Sequence, residues 1–201
     1  MAAILTSLRN TVIAGFVLAV ILVLLYLNWG GSLGDYAFWA FFFRWLHVIS
    51  GVMWIGLLWY FNFVQIPSMP KIPDDQKPAI GKVIAPEALF WFRWGAMATI
   101  VTGIIVAHMN GYLLDAYTLG AMTGFAVPKN IAIGIGMWLG TIMWFNVWFV
   151  IWPNQKIALG IVEGPAEAKP AAARTAMLFS RTNTLLSIPM LFAMVSAQNI
   201  Y

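Results

Sequence analysis

Residues 12–27 read VIAGFVLAVILVLLYL, an apolar run that continues to Trp29. A helix needs about 20 predominantly apolar residues to cross the hydrocarbon core of a bilayer, and this stretch reaches that length without a charge. It is apolar all round, so it faces lipid over much of its circumference and carries no polar information. Arg9 ahead of the run gives the start the outline of a secretory signal, but no small-residue cleavage site follows. The segment is read as a retained first helix.

The whole chain repeats that character. Of 201 residues, 62% are apolar and 9% charged, where a soluble domain carries about 25% charged residues. A soluble fold with this composition would expose apolar patches large enough to aggregate. An aromatic content of 15%, with 11 Trp, suits interfacial belts at both membrane surfaces. The absence of cysteine excludes disulfides, thiolate metal sites, iron–sulfur clusters and a covalent CxxCH haem attachment within this chain.

Working outward, five segments are predicted to span, at roughly 11–29, 36–64, 88–109, 130–152 and 182–200. The expected fold is all-α, an integral membrane bundle of about five transmembrane helices forming one domain over 1–201. Gly30, Gly31 and Gly34 make a turn after the first helix. Residues 66–86 contain Pro67, Pro70, Pro73, Pro78 and Pro86 and are predicted as a non-spanning loop with a short helix between Asp74 and Val83. Residues 170–181 extend the fifth helix out of the membrane, and Pro189 falls within it. No internal repeat is evident. Arg9, Lys71, Lys77, Lys82, Lys156, Lys169, Arg174 and Arg181 fall on one side and only Lys129 on the other, which predicts a cytoplasmic N-terminus. The net charge of +4 follows from this asymmetry, and no nucleic-acid motif is visible.

Ionisable groups inside a bilayer are expensive and commonly mark a site. Here they are Arg44 and His47 on the second helix, Arg93 and His108 on the third. Counted from the loop those helices share, His47 lies about 17 residues deep and His108 about 20, a difference of about 4–5 Å at ~1.5 Å per residue. Two imidazoles at similar depth could ligate one haem iron or share another metal ion. Arg44, one turn outward on the same face, suits a propionate, and Gly51 leaves room for a flat ring. The plainer reading is that the histidines hydrogen-bond neighbouring helices or face water, and that Arg44 snorkels to the headgroups. A second polar set, Asn62, Gln65, Arg93 and Asn146, either locks helices together or lines a small pocket. Gly136 and Gly140 have GxxxG spacing, which permits close helix contact.

The strings RWLHVISGVMWIGLLWYFNFVQIP (44–67) and APEALFWFRWGAMATIVTG (85–103), with Trp152-Pro153 and Asn154-Gln155, resemble the membrane region of the membrane-bound urate oxidase (urate hydroxylase) family over about residues 36–155. The portion LHxxxGxxWxG (46–56) is more loosely similar to the bacterial haem-binding protoporphyrinogen oxidase and to copper-resistance D-type proteins. In haem-binding relatives the His matching His47 is the expected axial ligand. Full-length urate-family members carry more spans and a C-terminal cytochrome c domain. The resemblance therefore implies a short form that needs a separate redox partner or a larger membrane complex.

The leading expectation is a haem b-binding oxidoreductase or electron-transfer subunit in a bacterial inner membrane, with His47 and His108 on the iron. The alternatives are a non-catalytic accessory subunit of a larger oxidoreductase and, third, a copper-handling or transport protein. The latter lacks carboxylates in its spans and a tight His or Met cluster.

Overall fold

The computed structural model describes residues 2–163 and 165–201. It is all-helical, with 83% of residues in helix and no strand among the described residues. Five helices among them are long and apolar enough to cross a membrane: α1 (Leu8–Asn28), α2 (Tyr36–Lys71), α3 (Lys77–Met109), α4 (Pro128–Ala158) and α5 (Ala168–Asn199). The protein is a multi-pass membrane protein.

Three of the spans, α2, α3 and α4, are longer than the sequence pattern predicts, because prolines there do not stop the helix. The stretch 66–86 is not a loop. α2 runs to Lys71 and α3 begins at Lys77. Proline lacks an amide donor, and its ring clashes with the carbonyl four residues back. The chain absorbs both defects by widening the preceding turn. Tyr60–Gln65, Ile80–Ile84 and Asn146–Ile151 are π-helical, and Pro67, Pro86 and Pro153 each follow two residues after such a segment. Such wide turns are rare and are frequent at functional sites.

The chain divides into two compact units, residues 1–42 and 43–201. In the first, α1 has no buried residue, as its uniform apolarity predicts. Gly30, at a left-handed φ of +91°, lies just past the end of α1, and the start of α2 is fixed by Phe38 stacking on Tyr26 and by Trp39 Nε1 donating to the Leu33 carbonyl at 2.9 Å.

In the second unit the remainder of α2 packs with α3, α4 and α5. The core lies toward the end with the Lys-rich connections, where Leu58, Phe92, Met143, Val147 and Ile151 are fully buried. A polar belt crosses it. Trp59 Nε1 donates to Ser187 Oγ (3.0 Å), Asn62 Nδ2 to Ser180 Oγ (2.8 Å), Asn146 Nδ2 to Asn183 Oδ1 (2.8 Å), and Asn183 Nδ2 to the Met143 carbonyl (2.9 Å). Buried polar side chains in lipid are tolerated when paired in this way. α2 and α4 also share a sequence pattern, although no internal repeat is evident on a first reading. Met53, Trp54, Gly56, Phe61 and Asn62 recur 84 residues on as Met137, Trp138, Gly140, Phe145 and Asn146.

Candidate functional site

Toward the opposite end the four helices diverge around a cavity of about 670 Å³, within the usual size range of small-molecule and cofactor sites. The α2 face Arg44, His47, Gly51 and Ile55 lines one wall, as its i, i+3, i+4 spacing dictates. α3 contributes Thr99, Gly103 and Val106, α4 contributes Ile133, Met137 and Gly140, and α5 contributes Met190, Met194 and Gln198. Val48, Val52 and Val195 line the same space yet are 55%, 69% and 60% exposed. The cavity is therefore open sideways in this unit.

His47 is held from α3. Its Nδ1 lies 2.9 Å from the Thr99 carbonyl and 3.4 Å from Thr102 Oγ1. The carbonyl can only accept, and the Thr102 hydroxyl already donates to the Ala98 carbonyl at 2.6 Å. Nδ1 therefore carries the proton and Nε2 keeps its lone pair, the arrangement a neutral imidazole needs to bind a metal. The ring rests over Gly103, where a Cβ would sit 2.9 Å from Cε1. Arg44 at the mouth donates through Nη2 to Asn110 Oδ1 at 3.3 Å. Tyr112, on the same wall, has its phenol pushed up by burial, with Arg44 acting in the opposite sense. At the deep end Trp54 is 1% exposed, and its indole Nε1 is buried without an acceptor.

The structure brings Arg44, His47 and Gly51 together and leaves His108 out. His108 is exposed near the end of α3 and does not line the cavity. The depth count misplaced it because the helices were started at the wrong residues. From Lys71 and Lys77, the observed ends, the two histidines differ in depth by roughly 10 Å. Rotation separates them further, since His108 lies five residues past Gly103, roughly 140° around the helix.

The four residues of the second polar set do not share one pocket. Asn62 and Asn146 belong to the interhelical belt. Arg93 lies with its guanidinium carbon 3.2 Å from the centre of the Trp152 ring. Gln65 alone lines a small cavity of about 170 Å³, with Phe61, Gln155 and Ser180. The GxxxG pair also divides. Gly136 lets α4 approach Met194 of α5, while Gly140 faces open space at the cavity wall.

Thr99, Gly103 and Trp54 were missed as site residues. Trp54 falls in the pattern repeated at Trp138, which would have drawn attention to it. Thr99 and Gly103 depend on how α3 is rotated, and a single sequence carries no direct signal of that. No group of three or more His, Asp or Glu residues capable of holding a metal ion occurs among the described residues.

No curated relative and no solved structure matches the chain. The family resemblance lies further along than the strings 44–67 and 85–103 suggest, and it overlaps the expected region only in 113–155. Over residues 113–200, from the loop after α3 through α4 and α5, the chain matches the family described as Urate oxidase N-terminal.

Proposed function

We propose that the protein is a haem b-binding redox subunit of a bacterial inner membrane, with its N-terminus cytoplasmic and a separate electron-transfer partner. One observation carries this reading. His47 is the imidazole in the wall of the large apolar cavity, and its Nδ1 proton is committed to the Thr99 carbonyl. A metal-bound histidine characteristically donates its other ring N–H in this way.

The residues present fit the group. His47 Nε2 would meet the iron and Arg44 a propionate at the mouth, while Gly51, Gly103 and Gly140 keep the walls flat. When bound, haem supplies one-electron redox chemistry. The chain's part is to orient the imidazole, to neutralise carboxylates at the outer end, and to exclude water with Ile55, Val106 and Ile133. Met137, Met190 and Met194 line the same cavity and offer thioethers in place of the second ligand expected from His108.

A reduced-minus-oxidised spectrum of the detergent-purified protein, with a pyridine haemochrome assay, tests the reading. A stoichiometric b-type signal that disappears in His47→Ala is the expected outcome. A folded preparation free of porphyrin sinks it. The alternative of a non-catalytic accessory subunit would then stand on the sideways opening at Val48, Val52 and Val195, which a neighbouring subunit would close.

A further inference from the structure

Arg93 and Lys156 lie at the other end of the bundle, nearer the Lys-rich connections, and play no part in the cavity. The Arg93 guanidinium lies flat against Trp152, and Lys156 Nζ is 5.7 Å from the same ring centroid. The two cations are thus at most about 9 Å apart, held by one indole. Neither forms an ion pair among the described residues, where the single ion pair joins Lys77 to Asp74 on the α2–α3 connection. Cation–π contact offsets part of the cost of a membrane cation but supplies no counter-charge.

Other donors nearby are also unmatched. Arg93 Nε and Trp148 Nε1 are both buried without an acceptor. Trp148 meets Trp94, the residue after Arg93, edge-to-face at 5.4 Å, so both contacts join α3 to α4. Beside them the surface is aromatic and faces outward. Trp94 is 50% exposed, and Phe90, whose ring lies 6.5 Å from it, is 44% exposed. Trp152 lies about 9 Å inside the end of α4, and tryptophans are enriched at the level of the headgroups.

We infer that Arg93, Lys156 and Trp152 form a binding site for an anionic phospholipid of the leaflet on the Lys-rich side. The phosphate meets the two cations, and an acyl chain lies along Trp94 and Phe90. Basic groups between membrane helices on the cytoplasmic side recognise anionic headgroups in this way, at about 1 kcal/mol per cation. The chemistry required is a phosphate carried on a lipid, because the aromatic bed serves no purpose for the free ion.

The test is native mass spectrometry of the full chain, titrated with phosphatidylglycerol and with phosphatidylcholine of the same acyl chains. Wild type should prefer the anionic lipid, and Arg93→Gln and Lys156→Gln should each lower that preference about five-fold. Lys77→Gln, at the first residue of α3, should leave it unchanged. Lys156 lies near a helix end and its substitution leaves the core intact, so the test survives if Arg93→Gln fails to fold. Equal losses in all three variants would reduce the effect to general surface charge and overturn the site. So would the absence of any preference in wild type, or displacement of the lipid by millimolar inorganic phosphate.

Discussion

His47 and Gly103 form one steric unit. The imidazole of α2 lies against the bare Cα of α3, and a methyl group at residue 103 would stand 2.9 Å from Cε1. The same turn of α3 presents the Thr99 carbonyl to Nδ1. Gly103→Ala should therefore move the ring off its hydrogen bond while leaving His47 in the chain. If His47 holds haem as proposed, the expected result is a 10- to 100-fold loss of haem affinity, typical of damage to the support of a metal ligand. Gly140→Ala adds a methyl to the same cavity where nothing lies within 4 Å and should lose far less. Equal losses in the two variants would mean that cavity volume, and not the seating of His47, governs binding.

Close packing between α4 and the short helix Leu113–Tyr117 rests on Gly134, where a Cβ would collide with the Ala116 carbonyl. Backbone cannot yield as a flexible side chain can. Gly134→Ala should destabilise the protein by about 1–3 kcal/mol, the usual cost of overpacking, read from thermal unfolding in detergent. A midpoint equal to wild type would show that the loop after α3 shifts freely.

How much of this was readable in advance differs element by element. α1 was clear from its apolar run, and the face Arg44, His47, Gly51, Ile55 from helical periodicity alone. The connections are not legible from their prolines, because the π turns ahead of Pro67, Pro86 and Pro153 carry the helices through. Ending helices at those prolines moves the helix ends and brings His108 level with His47 on paper. The partners of His47 were hidden for another reason. Thr99 and Gly103 are site residues only at one rotation of α3, and that rotation is set by contacts such as Gly95 against the Trp54 backbone. The belt residues Asn62 and Asn146 were noticed as a polar set, but their acceptors on α5, Ser180 and Asn183, were not.

The belt makes a pairwise prediction. Asn183 is fully buried and bridges α4 twice, accepting from Asn146 and donating to the Met143 carbonyl. A double-mutant cycle with Asn146→Ala and Asn183→Ala should give a coupling of about 0.6–1.7 kcal/mol, the range of hydrogen bonds between membrane helices. Strict additivity would show that the two amides find other partners when separated.

Asp115 gives the protein a pH dependence confined to the loop after α3. Its carboxylate accepts from Asn130 Nδ2 (2.8 Å), Thr123 Oγ1 (3.0 Å) and the Thr123 amide (3.0 Å), closing the loop onto the start of α4. The hydrogen bond from Asn130, reinforced by those from Thr123, holds the carboxyl below the usual carboxylate range against a smaller opposing effect of burial. A depressed folded value means that the ionised form stabilises the fold above the unfolded value, about 3.9. This contribution is constant through neutral pH and disappears as pH falls through the depressed value. Hydrogen exchange at Thr123, corrected for the intrinsic rate, should stay protected down to about pH 4 and lose protection below it. Asp115→Asn should weaken that protection at neutral pH and remove its acid dependence. Protection that declines between pH 7 and 5, or an acid response that persists in Asp115→Asn, would assign the loop's stability to some other group.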